Sequence, residues 1–117
     1  DWFPTLCKAA RVKIPKKLDG TDLTPALIKK AFERNKPMIW EFHGYGGQLA
    51  VIDFPWKVVR QKAKSKKPGK WQLYNIQKDP AEGKDLAEQH PEIVNRLEGA
   101  FKNDRTPNAR AKLPLYD

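Results

Sequence analysis

Trp40-Glu41-Phe42-His43-Gly44-Tyr45-Gly46-Gly47, followed by Trp56-Lys57-Val58-Val59-Arg60 and Trp71-Gln72-Leu73-Tyr74-Asn75, decides how this chain folds. From Met38 to His43 the residues are dense in β-branched and aromatic side chains that suit a pleated, half-buried surface. Gly44 to Gly47 supplies a flexible turn, and Leu49 to Ile52 reads as a second short strand. Asp53-Phe54-Pro55 marks a tight reversal into a third strand, Trp56 to Gln61. There Trp56, Val58 and Arg60 alternate with Lys57, Val59 and Gln61 at the two-residue period of a sheet. A Lys-rich loop, 62–70, contains Pro68-Gly69 and leads to a fourth strand, Trp71 to Ile76. Short links between consecutive strands specify an antiparallel meander. Trp40, Trp56, Trp71 and Tyr74 are read as its core.

Downstream, Asp79-Pro80 starts a turn and Ala81 to Gln89 holds a helical turn. His90-Pro91 then opens the best helix of the chain, with Ile93, Val94, Leu97 and Phe101 at helical spacing to face one side of the sheet. Asn103 to Asp117 has two prolines and no period, so it reads as a tail along the surface. Upstream, Pro4 to Arg11 predicts a short helix with Leu6, Ala9 and Ala10 as its apolar stripe. After a polar connection, Thr24-Pro25 is a cap-then-proline start for a second helix ending near Asn35, before Pro37. The expected fold class is therefore α+β: a four-stranded antiparallel sheet with a C-terminal helix on one face, preceded by a helical arm.

The size of 117 residues suits one small domain, or one plus a strip of another, and is too small for a complete multi-step hydrolase. Hydrophobic residues make up 39%, enough for a core and against disorder throughout, while seven Gly and ten Pro imply a loop-rich body. A net charge of +9 directs the surface towards anionic partners. The one cysteine, Cys7, excludes an internal disulfide and a Cys-rich zinc site. No apolar run reaches the length of a membrane span, so no membrane partner is expected, and residues 1–36 carry no signal-peptide pattern.

The order of these signals resembles the end of the sulfatase fold, within the arylsulfatase A-like family of alkaline-phosphatase-like hydrolases. Asp1-Trp2-Phe3-Pro4-Thr5-Leu6 with Leu18-Asp19-Gly20-Thr21-Asp22-Leu23-Thr24-Pro25 is similar to the closing segment of the catalytic domain. Trp40 to His43, Ala50-Val51, Trp56-Lys57, Leu73-Tyr74-Asn75, Asp79-Pro80-Ala81-Glu82 and Asp85-Leu86-Ala87 resemble the C-terminal sheet-and-helix subdomain. Each motif alone is weak, whereas the set in the right order is strong. The resemblance implies a boundary between 1–36 and 37–117. It also implies a parent enzyme, periplasmic or secreted, that hydrolyses sulfate esters with a formylglycine nucleophile and a calcium ion. Those groups come mostly from earlier in the family's chain, so no catalytic residue, metal ligand or cofactor is assigned here. Cys7-Lys8-Ala9-Ala10-Arg11 fits a loose Cys-x-Ala-x-Arg form of the modification signal. Cys7 nevertheless stands where the family has an apolar helix residue, and a buried, inert cysteine is the expectation. Where many relatives have Arg and a Gly-Asp turn before the Trp-Lys pair, this chain has Ile52-Asp53-Phe54-Pro55, so a contact through that Arg does not carry over.

Three residues remain as candidates for substrate contact. His43 ends a strand before a Gly-rich turn, where an imidazole can donate to a sulfate or sugar oxygen or move a proton near neutral pH. The resemblance puts the matching His on the side facing the cleft. Tyr45 and Gln48 flank the glycines and either pack the turn or meet a sugar. His90 is expected to cap or pack. Glu41 and Glu82 are not expected to form an acid pair across a cleft. Lys62, Lys64, Lys66, Lys67 and Lys70 with Arg60 form the densest basic run, read as a solvated hairpin tip and next as an attractor of sulfated polyanions. Nucleic acid is the weaker expectation, because no reader motif accompanies the run.

The functional expectation is a C-terminal portion of a sulfatase, inactive alone, that supports the catalytic domain and shapes the cleft for a sulfated substrate such as a glycan. The alternative is a stand-alone basic module for polyanions, either sulfated glycan or nucleic acid. Exposure of Phe3, Leu6 and Leu27 discriminates: a fragment leaves them uncovered, a self-contained module buries them.

Overall fold

The period-2 signal of residues 38–75 becomes one antiparallel sheet in order β1-β2-β3-β4, formed by Met38–Phe42, Gln48–Asp53, Trp56–Gln61 and Trp71–Asn75. This description rests on a computed structural model, which covers all of residues 1–117. The register pairs Glu41 with Leu49, Leu49 with Arg60, and Arg60 with Trp71, so these residues share one face. Alternation fixes the rest of that face: Ile39, Val51, Trp56, Val58 and Leu73.

Helix α3, Pro91–Asp104, covers this inner face. Pro91 suits its first turn, where no intrahelical N–H bond is lost. Leu97 and Phe101, four residues apart on the same stripe, enter a core with Leu49, Val51, Val58, Ala63, Trp71 and Leu73. Phe101 stacks edge-on against Trp71 at 5.9 Å and Tyr116 at 4.9 Å between centroids. Each such fully buried side chain stabilises by about 1.5–3 kcal/mol relative to exposure.

The α+β architecture with its sheet and packed C-terminal helix is as expected, with several local corrections. Trp71 and Tyr74 are buried and Trp56 half-buried against His90, but Trp40 lies on the outer face and is 48% exposed. Its strand alternation, shared with Phe42, puts it opposite Glu41 rather than in the core. Residues 81–89 hold the expected helical turn at their end, where the His90 N–H donates to the Leu86 carbonyl at 3.1 Å; the Leu86 N–H goes to the Leu73 carbonyl, and Asp85 Oδ1 accepts from Leu73 and Ala87, so the segment is tied to β4. The segment after α3 is more than a surface tail, since Leu113 is buried in the core and Tyr116 packs on it.

The chain divides into two compact units, Asp1–Lys36 and Pro37–Asp117. The first contains α1, Trp2–Ala9, and α2, Thr24–Leu27. α2 stops well short of Asn35. Lys29 adopts φ 57°, a left-handed conformation that ends the helix, and Leu27 and Ile28 find no apolar surface, both being more than half exposed. Polar ties hold this unit: Lys8 Nζ donates to Asp22 at 2.7 Å, Arg34 Nη1 to Asp1 at 2.6 Å, and the Leu23 N–H to Thr5 Oγ1 at 2.8 Å. Its buried helical residues are Pro4 and Thr5, and Cys7 is only half-buried rather than enclosed.

Candidate functional site

His43 follows the last residue of β1 and opens a tight turn that reverses the chain into β2. The turn depends on two glycines with different tasks. A Cβ on Gly44 would come within 2.8 Å of the Phe42 ring, so its absence lets that ring fold back over the turn. Gly47, at φ +86°, has the Lys64 amide 3.1 Å from where its Cβ would stand. This close approach permits a hydrogen-bonded seam: Ala63 N–H donates to the Gly47 carbonyl at 3.0 Å and Lys64 N–H to the Gly46 carbonyl at 2.8 Å. The Gly-rich turn and the start of the Lys-rich loop are thus one surface.

His43 turns towards the inner side of the sheet. Its Nε2 lies 3.4 Å from Glu41 Oε2, while Nδ1 is buried with no hydrogen-bond partner in the chain. Glu41 is in turn clamped by Arg105, which donates from Nε to Oε1 at 2.6 Å and from Nη2 to Oε2 at 3.4 Å. The same guanidinium donates from Nη1 to Asp117 Oδ1 at 2.5 Å and lies 5.6 Å over the Phe101 ring. Asp117 also accepts the Leu113 N–H at 2.6 Å. Arg105 is nearly enclosed, its side chain only 3% exposed. The two bidentate carboxylates, Asp117 first and Glu41 second, raise its pKa above its ordinary value, and the Arg105 bond holds Asp117 below the usual carboxylate range. The result is a chain of charge-assisted contacts from Asp117 through Arg105 and Glu41 to His43.

Tyr45 stands on the other side of the turn. It adopts φ 48° and is 87% exposed, its ring tilted against Phe42 at 6.1 Å. Gln48 is exposed at the start of β2, directly across from Gln61. The structure therefore brings His43, Tyr45 and Gln48 onto one turn, with the two exposed side chains free to meet a ligand and His43 drawn inward.

The remaining sequence candidates have structural positions. His90 packs on Trp56 at 5.3 Å between ring centroids and makes no side-chain cap. Glu82 pairs with Lys57 on the outer side of the sheet, away from Glu41 on the inner face. Arg60 donates to Tyr116 Oη at 2.6 Å and lies 5.4 Å over Trp71, serving the fold. An open hollow of about 330 Å³ in the first unit, lined by Pro4, Ile14, Leu18 and Asp22 among others, has its acid already held by Lys8. Sequence reading missed Arg105 and Asp117. One signal was available: alternation puts Glu41 on the core face, and a carboxylate there demands a cation.

A protein-family model described as N-sulphoglucosamine sulphohydrolase, C-terminal, matches residues 1–106. Arylsulfatase K of Xenopus laevis is 31% identical over 130 aligned residues, which take in 100% of this chain and 24% of the relative. The chain thus spans about a quarter of the length of that curated relative. Among solved structures, Ps i-CgsB in complex with k-i-k-neocarrahexaose superposes with TM-score 0.72 at 23% identity, over 98% of this chain and 25% of that one. BT4656 in complex with its substrate D-glucosamine-2-N,6-O-disulfate superposes with TM-score 0.66 at 17% identity, over 87% and 22% respectively. At these identities the structural likeness speaks for the fold.

Proposed function

Because the chain belongs to the N-sulphoglucosamine sulphohydrolase C-terminal family of sulfatases, we propose that it is the C-terminal portion of a sulfate-ester hydrolase of arylsulfatase type. Residues 1–36 close the catalytic domain, and 37–117 form the subdomain that braces it and walls one side of its cleft. The single observation that carries this reading is the uncovered arm. Phe3, Leu6 and Leu27 are 58, 60 and 56% exposed, as suits residues shaped to meet a larger body. The solved relatives with a carrahexaose and a disulfated glucosamine bound favour a sulfated glycan as substrate.

In this reading the chain's residues position substrate and perform no bond cleavage. Glu41, fixed by Arg105, orients the His43 ring at the foot of the turn, while Tyr45 and Gln48 offer a ring face and an amide to a sugar. Formylglycine and calcium belong to the parent enzyme. The residues here do not gather into a calcium site, since no three His, Cys, Asp or Glu side chains cluster at metal-holding spacing. Cys7, on α1, has no such acidic company.

Two measurements test the proposal. The 117-residue chain, given an aryl sulfate and calcium, is expected to show no turnover and an unmodified Cys7 by mass spectrometry; turnover or a formylglycine at Cys7 sinks it. In the parent enzyme, His43→Ala is expected to lower kcat/KM about 10- to 100-fold, because it removes the imidazole that Glu41 holds at the foot of the turn. Wild-type kinetics in a folded His43→Ala enzyme would remove His43 from the cleft.

A further inference from the structure

Five lysines of the 62–70 loop, Lys62, Lys64, Lys66, Lys67 and Lys70, take part in no ion pair, whereas Lys8, Lys57 and Lys102 each hold a carboxylate. All five are exposed, so their charge acts outward. Lys62 and Lys64 differ from the other three in lying against the Gly-rich turn. Lys64 is bonded through its amide to the Gly46 carbonyl, and the Lys62 Cα lies 3.8 Å from where a Gly46 Cβ would stand. The Lys62 and Lys64 backbone thus lies against Gly46 and Gly47, directly after Tyr45, and the Lys64 stem runs over Gly47, its Cγ 2.8 Å from where a Gly47 Cβ would stand.

Tyr45 is the most exposed large hydrophobic side chain of the molecule, and its positive φ is one that side-chain-bearing residues seldom adopt. An exposed ring and two unpaired lysines carried on one backbone seam are a combination that suits sugars bearing anionic groups: the ring offers a face to C–H bonds and the lysines take the charge. Gln48 and Gln61, paired across β2 and β3 and both exposed, extend the same surface with amide donors and acceptors for hydroxyls.

We propose that Tyr45, Lys62 and Lys64, with Gln48 and Gln61, form a docking surface for a sulfated polysaccharide. The choice of glycan over nucleic acid rests on the function proposed above; the surface itself rests on the seam and the unpaired lysines. Lys66, Lys67 and Lys70 add field rather than contact and speed encounter with the polyanion.

The test is calorimetric binding by the 117-residue chain of a short heparin oligosaccharide, its desulfated counterpart and a single-stranded DNA of matched charge, across a salt series. Heparin is expected to bind, the desulfated form to bind at least about tenfold more weakly, and the salt slope to report counterion release. Lys62→Gln/Lys64→Gln is expected to weaken heparin binding about tenfold and to flatten the slope by about two counterions. Tyr45→Ala is expected to weaken binding about threefold or more with the slope unchanged. Lys78→Gln/Lys84→Gln, which removes equal charge from exposed positions elsewhere, is expected to change affinity less than about twofold. An equal loss in the Lys78/Lys84 control, or DNA binding as tight as heparin, overturns the proposal. Binding needs no turnover, so the two readings fail separately. Absent heparin binding with an impaired His43→Ala parent removes only the docking surface, and the converse removes only the cleft role.

Discussion

The arm of residues 1–36 and the sheet unit of residues 37–117 are built on different physics. The sheet unit buries Leu49, Val51, Val58, Leu73, Leu97, Phe101 and Leu113 to 1% exposure or less. The arm leaves Trp2, Phe3, Leu6, Val12, Leu27 and Ile28 more than half exposed and relies on side-chain bonds around Asp1, Thr5 and Asp22. A body of such size has too little interior to carry itself by apolar burial. Its exposed apolar stripe finds no cover, while the sheet unit encloses a core of its own.

That contrast can be broken most forcefully at Phe101. Phe101→Ala removes a ring between Trp71 and Tyr116 and is expected to destabilise the sheet unit by about 3–5 kcal/mol, read as a lower urea midpoint by Trp fluorescence. A loss under about 1 kcal/mol would mean the core is looser than its packing indicates.

Acid probes the arm. The hydrogen bond from Lys8, then those from Thr24, lower the Asp22 pKa from 3.8 to about 2. A depressed carboxylate contributes stability that is fully present above its unfolded value and lost as pH falls through its folded one. The arm is therefore expected to hold at pH 4 and to loosen towards pH 2, seen in the amide resonances of Leu23 and Thr24. Asp22→Asn should flatten this profile; an unchanged profile assigns the acid response to other groups.

Leu6→Ser should produce the smallest effect on stability, within about 0.5 kcal/mol, because the side chain is already exposed. A large loss of stability would show that Leu6 is covered in solution and would erase the difference between the two regions.

Much of the sheet unit was legible because its signals are local and periodic: alternation in 56–61, the Gly-rich turn after His43, and Leu97 with Phe101 at helical spacing. Trp40 was misread because alternation says which residues share a face, not which face is covered. α2 fell short because the pattern from Ala26 to Phe32 describes a helix that needs a partner surface. Leu113 was invisible in an aperiodic segment, and for Arg105 only the need of Glu41 for some cation could be read, since what places both is contact with residues far away in sequence. The candidate site was half legible: the turn carrying His43, Tyr45 and Gln48 could be read, but its seam to Lys64 is a backbone contact between distant loops.

The Arg105 clasp has a consequence for how the sheet unit assembles. It joins residue 41 to residue 105, a separation of 64 positions, and closes onto residue 117 as well. Such a closure gains nothing until β1, α3 and the terminal segment are already in place, because the loop entropy must be met first. Interactions formed that late slow the escape from the native state more than they speed its formation. The clasp thus works as a latch: it does not guide the sheet unit into shape, but lengthens the time it keeps that shape and, with it, the orientation of His43.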